Sequence, residues 1–166
     1  MFWKSLLSML GVLVVSLAIG AACTGASASR IVPVALTLAE LKGSTSTAKL
    51  APPAEDITKL SAGYGYKAPG YDNADKEKWE VATYVFLPSS VTVKKSDKVN
   101  LRVFGINGDL HAARLLDPHG KVVGSPMVWN RGREYTFSFV AEKSGVYRLV
   151  CDSHSPTMEA TFYALP

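Results

Sequence analysis

The chain has 166 residues, of which 48% are hydrophobic and 19% are charged, and its formal net charge is +4. This length and composition indicate a folded protein with room for an export segment, a tether and one compact domain, and they exclude disorder of the whole chain. The basic residues are scattered among acidic ones, so we expect a solvated surface and no nucleic-acid partner.

Residues 1–28 have the layout of an export signal. Lys4 stands near the start, and an apolar run extends from residue 6 to residue 22 before a stretch of small residues. Because this run is longer than the roughly 7–15 apolar residues of a cleaved signal, an uncleaved membrane anchor is an alternative. A third alternative is lipid attachment at Cys23, since residues 19–23 resemble a bacterial lipoprotein cleavage box. Each route predicts a protein that is periplasmic or held at the extracytoplasmic face of the membrane.

The segment 29–78 is rich in glycine, serine, threonine, proline and alanine, and its apolar residues follow no regular period. This composition is typical of a linker. The aromatic patch from Tyr64 to Tyr71 is more apolar than a spacer needs. We therefore expect a tether that is only partly ordered.

The residue pattern changes in the segment 79–166, where short runs of β-branched and aromatic residues are separated by turn residues. The predicted strands cover residues 81–86, 91–93, 99–106, 113–116, 135–139, 146–150 and 161–165. The strongest turn signal is Asp117-Pro118-His119-Gly120. No part of this segment has a helical period, so the pattern predicts one all-β domain, either a sandwich or a barrel.

The two cysteines of the sequence have different contexts. Cys23 lies in the export segment and Cys151 near the end of the predicted domain, so a disulfide between them is not expected. Once Cys23 is removed or lipidated, Cys151 is the one thiol left in an oxidising compartment, where a free thiolate is open to oxidation. Metal binding would account for its presence.

Three soft or borderline metal ligands fall within eight residues, because Cys151 is followed by His154 and Met158 in a loop between two predicted strands. A blue-copper site uses one thiolate, two imidazoles and a weak axial thioether. His111, after the predicted strand 99–106, is the first candidate for the second imidazole. His119 is the other, in a turn where a solvated ring is expected. Met127 is the alternative axial sulfur, in a stretch that we interpret as a loop.

The order of these motifs resembles the cupredoxin family, which includes plastocyanin and amicyanin. The resemblance spans residues 79–166 and is carried by residues 86–88 and 91–99, by Asn107 ahead of His111, and by 145–147 ahead of Cys151, His154, Pro156 and Met158. It implies a Greek-key β-sandwich. It also implies that His111, Cys151, His154 and Met158 hold one copper ion.

The function expected from this ligand set is one-electron transfer by Cu(I)/Cu(II) to or from an unidentified redox partner protein, without catalysis. A copper-binding module for storage, delivery or copper-enzyme assembly is the alternative. A catalytic oxidase or reductase would need a second copper centre or an open position, for instance with Glu159 in place of Met158. Asp152 and Glu159 flank the ligands, and we expect both to be solvated.

Overall fold

The computed structural model describes residues 29–49 and 77–166. In this part of the chain the strands, in chain order, are β1 (Ile31–Ser46), β2 (Lys78–Leu87), β3 (Ser90–Lys94), β4 (Lys98–Gly105), β5 (His111–Leu116), β6 (Val122–Trp129), β7 (Glu134–Val140), β8 (Gly145–Cys151) and β9 (Glu159–Leu165). One 3-10 turn, Thr47–Lys49, follows β1. No helix in the described ranges is long and apolar enough to cross a membrane. The predicted export segment 1–28, with Cys23, lies outside these ranges.

Two sheets pack against each other as a sandwich. The first has the strand order β2-β1-β4-β7 and the second has the order β3-β9-β8-β5-β6. The chain passes from the first sheet to the second three times, between β2 and β3, between β4 and β5, and between β7 and β8. Aromatic rings meet across the interior, with ring centroids 6.2 Å apart for Phe86 and Trp129 and 5.4 Å apart for Phe139 and Phe162. The predicted all-β sandwich is therefore confirmed.

Alternation of side chains explains why the predicted runs form strands. In β4, Val99, Leu101 and Val103 are buried, whereas Arg102 before Val103 and Phe104 after it are exposed. A strand places successive side chains on opposite faces, so this pattern buries one face against the other sheet. The seven predicted runs lie on β2 to β5 and β7 to β9, and their ends agree with those of the strands to within three residues.

The prediction of a tether is wrong for residues 31–46, which form β1. This strand lies inside the first sheet, pairing antiparallel with β2 and parallel with β4. Its proline, Pro33, is tolerated because pairing with β2 begins only at Thr37. The indole ring of Trp79 packs over Gly43, so an apolar side chain from β2 fills the space where glycine has no side chain of its own. The remainder of the predicted tether, residues 50–76, lies outside the described ranges.

The prediction of a loop around Met127 is also wrong, because this residue lies in β6 and pairs with Ala113 of β5. The register of β5 and β6 shifts between Ala113 and Leu115, opposite a segment that contains Gly124 and Pro126. A glycine and a proline in a short run hide the alternation in the sequence. The strand accepts both because it is the edge of its sheet.

Candidate metal centre

Two neighbouring strands bring a thiol and an imidazole to the same end of the second sheet. His111 is the first residue of β5, and Cys151 is the last residue of β8. The strands are antiparallel, and Cys151 pairs with Ala113. The amide of Asp152 continues this pairing by donating to the carbonyl of Ala112 over 2.8 Å. The sheet itself thus positions two residues that are 40 apart in sequence.

The turn between β8 and β9 adds the second imidazole. The Cys151 Sγ atom lies 3.5 Å from Nδ1 of His154 and 3.9 Å from Nδ1 of His111. One ligand atom from each of the three residues lies within 4.8 Å of the others. Cys151 and His111 are fully buried, whereas His154 is half-buried. The structure therefore brings together the thiol and both imidazoles selected from the sequence.

A hydrogen bond determines which nitrogen of His111 faces the thiol as an acceptor. The Nε2 atom lies 2.9 Å from the carbonyl oxygen of Asn107. A carbonyl only accepts, so Nε2 carries the ring proton and donates it. In the neutral ring Nδ1 then keeps its lone pair, which is the form that binds a metal. The ring is thus oriented for metal binding by a backbone group outside the cluster.

Main-chain hydrogen bonds close the turn that carries His154. The amide of His154 donates to the carbonyl of Cys151 over 3.2 Å, and the amide of Met158 donates to the carbonyl of His154 over 2.9 Å. The amide of Cys151 donates in turn to the carbonyl of Met158 over 3.1 Å. The side chain of Met158 is fully buried in the core. Its main chain is therefore tied to the cluster, and its role as axial ligand stays a prediction.

Burial raises the pKa of the Cys151 thiol above its ordinary value, and the backbone amides of Ser153 and His154 lower it by a smaller amount. The charge of Asp152 raises it slightly further. The thiol consequently stays protonated at neutral pH without a metal. A metal ion that binds there must displace this proton, since the thiolate is the ligand.

The spacing of the donors fits a single metal ion. A zinc ion lies about 2.3 Å from a thiolate and about 2.0 Å from an imidazole nitrogen, so a comparable ion at a trigonal angle holds the two donors roughly 3.7 Å apart. The two sulfur–nitrogen distances of 3.5 and 3.9 Å lie on either side of this value. The His–Cys–His group can hold one metal ion without a rearrangement of the strands.

Tyr84 is a residue of the site that the sequence did not identify. Its ring meets the imidazole of His111 edge-on with centroids 4.9 Å apart, and that of His154 with centroids 4.6 Å apart. The alternation of Ala82, Tyr84 and Phe86 in β2 places the ring on the core face. Nothing in the spacing of β2 and the cluster, however, shows that the two meet.

The remaining candidates have other surroundings. His119 is exposed in the turn between β5 and β6 and lies outside the cluster, as expected. Asp152 is exposed and pairs with Arg114 over 2.7 Å. Glu159 differs from the solvated group we expected, because its carboxylate is mostly buried and contacts both Arg148 and Ser155. That carboxylate is held in an ion pair on the strand.

No family model and no curated protein matches the sequence. Among solved structures, auracyanin A, a "blue" copper protein from Chloroflexus aurantiacus, is 16% identical, with a TM-score of 0.41 over 48% of this chain and 88% of auracyanin. A purple cupredoxin from Nitrosopumilus maritimus is 21% identical, with a TM-score of 0.34 over 48% of this chain and 81% of its own. The copper nitrite reductase from Nitrosomonas europaea is 15% identical, with a TM-score of 0.46 over 82% of this chain and 42% of the enzyme.

Cupredoxins are thus among the solved structures that this chain is similar to. The candidate metal centre is identified by its three donors and by the distances between them.

Proposed function

We propose that the chain is a mononuclear type 1 copper protein that transfers single electrons outside the cytoplasm. The observation that carries this proposal is the meeting of one buried thiol with two imidazoles, each presenting Nδ1 to the sulfur within 3.9 Å. One thiolate and two imidazoles, with a thioether as a weak fourth ligand, are the donors of blue-copper electron-transfer sites. Copper, when bound, supplies a one-electron couple between Cu(I) and Cu(II).

The protein's part in this function is to hold the donors still. His111 and Cys151 belong to paired strands, and His154 lies in a turn closed by main-chain hydrogen bonds. We propose that Met158 is the axial ligand, because it is buried and its backbone pairs with that of Cys151. Donors held by a sheet move little when the charge of the metal changes, so little energy is spent on rearrangement and electron exchange is fast.

The number of histidines available as copper ligands supports an electron carrier in preference to a catalyst. The sequence contains three histidines, and two of them already belong to the cluster. This leaves one histidine, His119, which is too few imidazoles for a multicopper cluster. We propose a redox protein as the partner, and a location in the periplasm or at the extracytoplasmic face of the membrane, reached through the signal-like segment 1–28. The segment also leaves open attachment by an anchor or by lipid at Cys23.

The test is the visible and electron paramagnetic resonance spectrum of the copper-loaded, ferricyanide-oxidised protein. We expect an intense thiolate-to-copper absorption band and the small copper hyperfine splitting of a covalent thiolate site. A module for copper storage or delivery would hold mainly Cu(I) and would show neither signal. A fully copper-loaded, oxidised sample without the band would contradict the electron-transfer proposal.

Met158→Gln should keep copper bound and lower the reduction potential. An amide oxygen is a harder ligand than a thioether and favours Cu(II). We expect a drop of about 60 mV or more, which corresponds to a tenfold change in the one-electron equilibrium. Spectroelectrochemical titration measures it. Met127→Gln is the matched control, since Met127 lies in β6 and is half-buried. A larger drop in the Met127 variant would move the axial role to that residue.

A further inference from the structure

A pair of threonine hydroxyls connects the first sheet to the turn that carries His154. The Oγ1 atom of Thr83 in β2 lies 2.6 Å from the Oγ1 atom of Thr157, and the two residues are 74 apart in sequence. Thr83 is 4% exposed, and Thr157 is half-buried. This contact joins β2 of the first sheet to the turn between β8 and β9 of the second sheet.

The direction of this hydrogen bond follows from a second one. The Thr157 hydroxyl donates to the carbonyl oxygen of His154 over 2.8 Å. A hydroxyl has only one proton to give, so Thr157 accepts from Thr83. The result is a directed chain in which Thr83 donates to Thr157 and Thr157 donates to His154. The same carbonyl also accepts the amide of Met158 over 2.9 Å.

The next residue of β2 acts on the same turn from a different side. The ring of Tyr84 packs edge-on against the imidazole of His154 and also against that of His111. Of two successive residues of β2, Thr83 therefore reaches the backbone of His154 through Thr157, and Tyr84 contacts its ring. Of the three donors, His154 is the one that lies on no strand, and it is the most exposed.

We propose that Thr83 is a positioning residue for the metal centre. Acting through Thr157, it fixes the carbonyl of His154 and so holds the turn against the opposite sheet before any metal binds. The turn's own hydrogen bonds define its shape, whereas the Thr83 contact defines its place relative to Cys151 and His111. This proposal depends on the proposed copper function only for the measurements made on the copper-loaded protein.

The first experiment uses the metal-free full chain and measures amide hydrogen exchange by NMR. Thr83→Val removes the donor and keeps the shape, so the amide of Met158 should exchange about fivefold faster, the factor of one ordinary hydrogen bond. The amide of Leu149 in the core of β8 should keep its rate. Thr83→Ser keeps a hydroxyl and should restore slow exchange at Met158. Equal rates in the valine and serine variants would overturn the proposal.

Thr136→Val is the matched control, because Thr136 is an exposed threonine of β7, at the opposite edge of the same sheet. It should leave the exchange of Met158 unchanged. An equal acceleration in this variant would show a general loss of stability and would also overturn the proposal.

A double-mutant cycle separates action through Thr157 from a direct effect of Thr83. If Thr83 acts through Thr157, the double variant Thr83→Val, Thr157→Val exchanges at the Met158 amide no faster than Thr157→Val alone. Effects that multiply would show independent roles. Should Thr83→Val fail to fold, Thr157→Val and Thr157→Ser repeat the comparison in the half-buried turn, and no acceleration in Thr157→Val would overturn the proposal.

The copper-loaded protein provides a separate readout. If wild type shows the thiolate band, Thr83→Val should keep it and change the copper hyperfine splitting, because one imidazole is held less firmly, and Thr83→Ser should restore the wild-type value. An unchanged splitting in Thr83→Val contradicts the positioning role. A missing band in wild type contradicts the proposed function alone, and the exchange measurements still decide the role of Thr83.

Discussion

Replacement of Cys151 by serine should abolish the visible absorption of the oxidised, copper-loaded protein. The band arises from charge transfer between a thiolate and copper, and the two cysteines of the chain are Cys23 and Cys151. Of the residues that the structure describes, Cys151 is the cysteine beside the two imidazoles, with its sulfur 3.5 Å and 3.9 Å from their Nδ1 atoms. A serine hydroxyl is not ionised at neutral pH and gives no such band, so we expect complete loss rather than a shift.

The matched control is Cys23→Ser, which removes the other thiol and should leave the spectrum unchanged. Because Cys151 is fully buried, a serine there costs about 1–3 kcal/mol if its hydroxyl finds no partner. Thermal unfolding and circular dichroism of the metal-free variant therefore have to show that it is folded. A folded Cys151→Ser protein that keeps the band would rule out Cys151 as the ligand.

Gly108→Ala should displace the imidazole of His111 and weaken copper binding at least tenfold. A Cβ atom at position 108 would lie 2.1 Å from Nε2 of His111, far inside contact distance. The His111 ring has to move away from the added Cβ atom, and it then loses its hydrogen bond to the carbonyl of Asn107. Because that bond presents the Nδ1 lone pair to the thiol, the displaced ring loses its orientation for the metal. Competition titration with a copper chelator measures the loss.

The chain offers a close control for the backbone. Gly108 and Gly120 both have a left-handed conformation, with φ of 89° and 80°. Alanine costs about 1–2 kcal/mol in such a conformation at either position. A Cβ atom at Gly120 meets nothing within 4 Å, so this variant carries the backbone cost without the clash. We expect Gly120→Ala to lose stability and keep its copper affinity. Equal copper affinity in the two variants would show that the close contact between Gly108 and the His111 ring does not position that ring.

The strands that could be predicted from the sequence are those whose apolar alternation is uninterrupted. In β7, Tyr135, Phe137 and Phe139 alternate with polar residues, and this regularity placed the strand correctly. In β1 the alternation fades into glycine, serine and threonine after Leu41, and in β6 it is broken by Gly124 and Pro126. These two strands were missed because the apolar contact at Gly43 of β1 comes from Trp79, and β6 tolerates Pro126 because it lies at the edge of its sheet.

The sequence by itself determined the chemistry of the candidate site. The thiol, the imidazoles and the thioether are side-chain groups that can be read directly from the sequence. The short spacing from Cys151 through His154 to Met158 limits how far apart these three side chains can lie. His111 was selected by its place after a predicted strand, and the pairing of β5 with β8 confirms its position beside the thiol.

Only the tertiary structure decided how these donors are held. The contact of Thr83 with Thr157 and the packing of Tyr84 on two imidazoles join β2 of the first sheet to β5 of the second sheet and to the turn between β8 and β9. The orientation of the His111 ring likewise depends on a backbone carbonyl in a folded turn. Such contacts have no local signal, because they arise from the distance between two packed sheets and the path of a turn, and both are set by the whole core rather than by neighbouring residues.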